Sequence, residues 1–279
     1  MRYSILSRFR GTLLGATLGE KITQPNQIKP PTIAKVLILG AQSLVEIGSF
    51  ERKTWQDRLL ILELTPWQAI VATLPLALFY HDNQIKLRRN LLSVSSIWQN
   101  EPIIQESILA MGYAIAQALT EKLVPSQLIP QIVAFINAPT TDLTTKLMQV
   151  QALLEQKAGV EQTVTQIMPN SDRVTASVAL AFYYFLSTVE DLSLSVKRSR
   201  RSPLVISAMV GALSGAYNSA SSIPSSWQTI LVEPQTSAET EMLQLSDSLV
   251  AVWSGVYKPD LTVKMMATAV AAPRVIRLR

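Results

Sequence analysis

The sequence has no cysteine and a single histidine among its 279 residues. Without cysteine the chain has no disulfide framework and no thiolate metal site. The one histidine, His81, stands beside Asp82, but a catalytic role would also require a nucleophile or a metal nearby. We interpret His81 as a C-terminal cap or a surface residue. Asp82 and Asn83 then form the turn that closes the helix containing Phe79.

Charge is scarce as well. Charged residues make up 16% of the chain and apolar residues 48%, with a mean hydropathy of +0.23. This balance predicts a large core with many fully buried helices. Two strongly apolar runs without a charge, 65–80 and 174–189, have 16 residues each, fewer than the roughly 20 needed to span a bilayer. We therefore expect central helices of a soluble bundle and no transmembrane segment, with Pro66 and Pro75 interrupting the first run.

The N-terminal segment has no apolar stretch of the signal-peptide type, because arginines interrupt it early. The expected location is therefore cytoplasmic. The net charge is +5 and the isoelectric point is near 9.5. The positive charge is not interleaved with aromatic residues as a single-strand platform requires, so the composition argues against a nucleic-acid partner.

Helical periodicity dominates the chain, and no alternating run is long enough to predict a strand. The pattern predicts a single all-α domain of ten or more helices over residues 1–255. One helix is expected to end near Gly48, another to run from Leu143 to Leu154 with Gly159 as its cap, and a last one to end before Gly255. We expect residues 256–279 to be a basic C-terminal tail with an extended conformation. That tail could cover the body, add to a partner's sheet or contact an acidic membrane surface.

Two stripes of small residues recur at every fourth position. Gly11, Gly15 and Gly19 form the first, and a second stripe after Pro203 comprises Ser207, Gly211, Gly215 and Ser219. Residues four apart share one face of a helix, and a face of glycine and serine lets another backbone come close. Glycine costs about 1 kcal/mol against alanine inside a helix, so its repetition indicates a tight contact. The sequence predicts that these two helices pack directly against each other.

Three segments, in order, resemble the ADP-ribosylglycohydrolase family. They are residues 8–20 (RFRGTLLGATLGE), residues 74–80 (LPLALFY), and residues 210–217 (VGALSGAY) followed by 223–227 (IPSSW). The resemblance implies an all-α domain of that family's type. It also implies two magnesium ions held by aspartates and threonines, and hydrolysis of an ADP-ribosyl bond.

The motifs that carry this chemistry in the family are missing. The late motif, Gly-Gly-Asp-Thr-Asp-Thr, falls on residues 200–205, where Ser202 and Leu204 stand at the aspartate places. The early Thr-Asp-Asp-Thr motif falls near residues 30–34, which contain no acid, and the arginine of the central segment is replaced near Ala72. Glu20 keeps one carboxylate, which cannot hold two magnesium ions.

We therefore expect a metal-less and non-catalytic member of the family, without a cofactor, that acts as a binding, regulatory or accessory subunit. One alternative is an active ADP-ribosyl hydrolase with an altered site. Another is a structural interaction protein of a larger complex. The expected partner is a protein or a larger assembly.

The densest basic cluster comprises Lys197, Arg198, Arg200 and Arg201. It is a candidate anion-binding site, because guanidinium groups bind phosphate and carboxylate in a bidentate fashion. Its ligand would be an acidic partner, or a nucleotide or other anion. The alternative is a solvated loop between helices, since charge runs usually lie at the surface. A second basic group, Lys86 with Arg88 and Arg89, is interpreted as a solvated helix face.

Overall fold

The computed structural model describes residues 3–23, 32–98, 101–138, 140–169, 171–231 and 238–256. These residues form fifteen α-helices and three short 3₁₀ helices, with no strand among them. The predicted all-α class is thereby confirmed. The tail from 257 to 279 lies outside the described residues. No helix in the described ranges is long and apolar enough to cross a membrane.

The α-helices have the following bounds: α1 Ile5–Thr23, α2 Ile33–Ile47, α3 Arg52–Leu59, α4 Pro66–Ala72, α5 Leu74–Phe79, α6 Gln84–Ser95, α7 Pro102–Leu119, α8 Pro125–Ile136, α9 Asp142–Glu155, α10 Val160–Ile167, α11 Arg173–Leu186, α12 Leu192–Ser199, α13 Leu204–Asn218, α14 Ser225–Leu231 and α15 Ala238–Ser254. The 3₁₀ helices are Leu60–Leu62, Ser96–Trp98 and Ala220–Ser222.

Helices α1 and α13 form the centre of the fold as an antiparallel pair, as their small-residue stripes predict. A Cβ atom built on Gly15 would lie 2.1 Å from the carbonyl oxygen of Gly211, and one on Gly19 would lie 2.0 Å from that of Ser207. Gly11 faces Gly215 in the same way. Backbone therefore lies against backbone along three turns, which only residues without a side chain at the contact permit.

The other helices surround this pair. Helix α15 packs on both α1 and α2, while α11 packs on α13 and α9. Helix α7 contacts α13 on one side and α5, α6 and α8 on others. Every residue of α5 is buried, as are all residues of α11 from Val174 to Phe185, so the greater part of each low-charge run, 69–80 and 174–185, lies in the core.

Several helix ends follow from local chemistry. Gly48 ends α2 with φ +73°, in the left-handed region that glycine adopts without strain, as predicted. The run 65–80 is divided into α4 and α5, with the break at Thr73, whose hydroxyl donates to the Ile70 carbonyl oxygen at 2.8 Å. The predicted cap at Gly159 is wrong: α9 already ends at Glu155, and Gly159 is the N-cap of α10.

His81 is a buried cap rather than a surface residue. Its Nδ1 lies 2.6 Å from the carbonyl oxygen of Leu78, near the end of α5. Its ring packs against Phe9 and Trp253, with centroids 5.6 and 4.9 Å away. Asn83 follows the predicted turn and caps α6 by accepting a hydrogen bond from the Lys86 amide.

Candidate functional site

The C-terminal turn of α1 contacts the N-terminal turns of both α2 and α13, and we call this region the three-helix junction. Gly19 brings α1 against Ser207 in the first turn of α13. The next residue, Glu20, reaches Ile33, the first residue of α2. The late motif and the single acid of the family resemblance both fall here, so this is the candidate site.

The Glu20 carboxylate closes the N-terminus of α2. Both of its oxygens accept from the Ile33 amide at 3.0 Å. Thr32, the N-cap, accepts from the Lys35 amide at 3.2 Å. Burial raises the pKa of Glu20 from its ordinary value, and the Ile33 hydrogen bond opposes that shift in part. A carboxylate at a helix N-terminus is stabilised by the free amides and by the helix dipole, so Glu20 has a structural role in this fold.

The serine hydroxyls of the junction bond within the protein. Ser202, at the first aspartate place, lies with its Oγ 2.9 Å from the Tyr184 hydroxyl oxygen. Ser207 donates to the carbonyl oxygen of Ser199 at 3.1 Å, and the two hydroxyl oxygens lie 3.0 Å apart. Burial also raises the pKa of Tyr184, so it remains a neutral hydrogen-bonding group. These bonds join α11, α12 and α13.

The residues of the junction do not fit a pair of magnesium ions. Magnesium requires near-octahedral oxygen coordination, largely from carboxylates. The sequence has no aspartate or glutamate between residues 21 and 45, so the α2 side supplies none, and Glu20 is bonded to Ile33. Within the described ranges, no three histidine, aspartate or glutamate residues group closely enough to hold a metal ion.

The four residues of the basic cluster are all exposed and do not converge. Lys197 and Arg198 lie in the last turn of α12, where the helix dipole favours cations. The Lys197 Nζ lies over the Trp227 ring, 5.8 Å from its centroid, whereas Arg198 donates to the Ser187 hydroxyl at 3.3 Å. Arg200 follows as the C-cap and Arg201 lies in the turn before α13. The cluster therefore presents a broad positive edge rather than one compact pocket.

Two arginines of α1 hold the fold together, which sequence reasoning missed. Arg8 is buried and donates to the Ala118 carbonyl and to the Glu121 carboxylate, the latter at 2.7 Å. Arg10 forms a bidentate pair with Asp247 at 2.8 and 2.7 Å. The family resemblance placed Arg8 and Arg10 in the opening helix but gave no partner for either.

The second basic group is only partly the predicted solvated face. Arg89 is exposed, but Arg88 is half-buried and donates to the carbonyl oxygens of Phe135 and Ile136 at the end of α8. Ile85 on the same face is 84% exposed. Ile85 lies three and four residues before Arg88 and Arg89, so the three share one face of α6. This spacing could have predicted an exposed apolar residue on the basic face from the sequence alone.

Known proteins resemble this chain in sequence and in fold. A family model for ADP-ribosylglycohydrolase matches residues 51–259. A solved structure described as an "ADP-ribosylglycohydrolase-related protein complex" superposes with a TM-score of 0.62 at 16% identity, covering 88% of this chain and 97% of that one. At this identity the likeness shows the fold alone. No curated protein matches the sequence.

Proposed function

The chain belongs to the ADP-ribosylglycohydrolase family, and from that premise we propose that it is a non-catalytic member that acts as a binding or accessory subunit. One observation carries the proposal: the acid that remains at the three-helix junction, Glu20, is bonded through both oxygens to the Ile33 amide. Glu20 thus acts as a cap for α2, and one carboxylate does not supply the ligands that two magnesium ions require.

The surrounding residues support the same proposal. Hydrolysis of a glycosidic bond requires a group that activates water and a group that stabilises the departing sugar. Ser202 bonds to the Tyr184 hydroxyl, and Leu204 has no polar atom in its side chain. Neither performs acid or base chemistry near neutral pH.

A protein partner fits the proposed role better than a small nucleotide does. Lys197 and Arg198 point to different neighbours, Trp227 and Ser187. A compact phosphate group cannot contact both ends of such an edge, whereas an extended acidic surface can. A cytoplasmic site of action belongs to the same proposal and is tested by cell fractionation.

Magnesium binding is the direct test. A ligand that binds only the folded state must raise its melting temperature, so we expect no shift on adding millimolar magnesium chloride and no release of ADP-ribose from an ADP-ribosylated protein. A family member with intact Thr-Asp-Asp-Thr and Asp-Thr-Asp-Thr motifs is the positive control. A magnesium-dependent shift together with turnover would establish the alternative, an active hydrolase with an altered site.

The anion site is tested separately by calorimetry with ADP-ribose. The double variant Arg200→Ala/Arg201→Ala is compared with wild type. The absence of ligand heat in wild type would eliminate the nucleotide as ligand, leaving the acidic partner. Heat that persists unchanged in the double variant would remove Arg200 and Arg201 from the site.

A further inference from the structure

A groove of about 620 Å³ opens between α6 and α8, away from the three-helix junction. Both helices pack on α7. Arg88 links them by donating to the carbonyl oxygens of Phe135 and Ile136 at 3.2 and 3.3 Å. The side chains that line it include Ile85, Arg88, Arg89, Leu92, Ala134 and Phe135. We call this surface the α6–α8 groove.

Helix α6 has apolar residues on two opposite faces. Leu87, Leu91 and Val94 are buried and face the core. Ile85 and Leu92 lie seven residues apart, on the outer face that lines the groove. Ile85 is 84% exposed, and the capping of α6 by Asn83 does not require an isoleucine at that position. Leu92 is half-buried and also packs against the core, so the exposed Ile85 stands on an apolar lining of the kind that receives the apolar face of an amphipathic helix.

The charged residues that line the groove, Arg88 and Arg89, have one sign. Helix α6 carries Lys86, Arg88 and Arg89 and no acid, and α8 carries no charged residue. Arg88 is engaged by the carbonyl groups of α8. Arg89 is exposed and, within the described part of the chain, forms no ion pair. A partner at this groove would therefore meet uncompensated positive charge.

We infer that the α6–α8 groove binds an acidic amphipathic helix of a partner protein. Seven residues of helix span about 10 Å, so the apolar face of such a helix would contact Ile85 and Leu92 over two turns, with Phe135 opposite. Its carboxylates would meet Arg89, which lines the groove. Symmetric pairing with a second copy is disfavoured, because two grooves of the same positive sign would face each other. The inference rests on the proposed binding role and names the chemistry of the partner.

The test uses the full chain and two fluorescent helical peptides. One has leucine on one face and glutamate on the other; its matched control has lysine in place of glutamate. In fluorescence anisotropy, the acidic peptide should bind and should weaken as salt is added. Ile85→Ser should weaken it by about tenfold or more, as loss of a central apolar contact does. Arg89→Glu should weaken it to a similar degree.

Two matched variants control for general surface effects. Ile61→Ser removes another exposed isoleucine, 80% exposed in a 3₁₀ turn outside the groove, and Arg173→Glu reverses a charge on α11. Both should bind the acidic peptide as wild type does. The inference is overturned if neither peptide binds, if the lysine peptide binds equally well, or if Ile85→Ser binds unchanged.

Light scattering tests whether the groove is occupied by a second copy of the chain. If Ile85→Ser lowers the molar mass of the chain, the groove joins two copies and the inference is wrong. Magnesium shifts and ADP-ribose release, measured on the same preparations, decide the proposed function whatever the peptides do. A failure of the groove is thus distinguishable from a failure of the non-catalytic assignment.

Discussion

Adding a methyl group to Gly15 tests the close contact on which the fold depends. The new Cβ would lie 2.1 Å from the Gly211 carbonyl oxygen, whereas ordinary contact begins at 3.4 Å, a shortfall of 1.3 Å (3.4 − 2.1). The obstructing atom belongs to the backbone, so rotation of a side chain cannot relieve the clash. Helices α1 and α13 must move apart.

The size of the effect follows from that separation. Overpacking costs about 1–3 kcal/mol or more, and a gap of about 0.5–1 Å removes roughly a quarter to a half of the dispersion energy of facing atoms. Alanine returns about 1 kcal/mol through its helix propensity. We expect Gly15→Ala to lower the free energy of unfolding by about 3 kcal/mol, which for a chain of this length corresponds to a fall in melting temperature of about 5 °C.

The control is Gly159→Ala, the same chemical change in open space, since a Cβ at Gly159 meets nothing within 4 Å. Its melting temperature, measured by calorimetry, should stay close to that of wild type. The double variant Gly15→Ala/Gly211→Ala should lose less than the sum of the single variants, because one separation of the helices accommodates both methyl groups. If Gly15→Ala melts within about 1 °C of Gly159→Ala, the backbone contact is refuted.

Further predictions concern the ionisable groups. Arg8→Ala should lower the free energy of unfolding by about 3 kcal/mol in urea denaturation, because it removes the buried guanidinium that pairs with Glu121. Arg10→Ala, at a more exposed pair, should cost less than about 1 kcal/mol, and equal losses would contradict this difference. Burial raises the pKa of Glu20 and Glu106 above 4.5, so each favours folding below that pH and loses this contribution as the pH rises through its raised pKa. The melting temperature of Glu106→Gln should therefore vary less than that of wild type from pH 4.5 upwards; parallel curves would refute this.

The central helix pair could be predicted from the sequence because its signal is local and redundant. Gly11, Gly15 and Gly19 repeat at the helical period, and Gly211 and Gly215 do the same. Each stripe marks a helix face without bulky side chains, and two such faces can pack closely against each other. The prediction that Gly159 caps α9 was wrong because a lone glycine is not a redundant signal. It fits the end of one helix or the start of the next, and only the packing of α10 decides between them.

The candidate site was harder to predict, because residues that are adjacent in the sequence need not have side chains that point to the same place. Lys197 and Arg198 are neighbours in α12, and successive helical residues point about 100° apart, so they contact different residues, Trp227 and Ser187. The partner of Arg8 lies 113 residues away along the chain. No local pattern encodes a pairing at that distance.

The residues that pack this fold and the residues at the aspartate places of the family motif are under different physical constraints. At Gly15 every side chain would strike the backbone of α13, so the contact admits no substitution without moving two helices. At Ser202 and Leu204 the side chains are half-buried, and many residue types fit such positions at little cost. A chain can therefore lose carboxylates at these places and keep its fold, provided that the remaining acid gains a structural partner. The Ile33 amide is that partner for Glu20, and it gives this carboxylate a function in the fold that requires no metal.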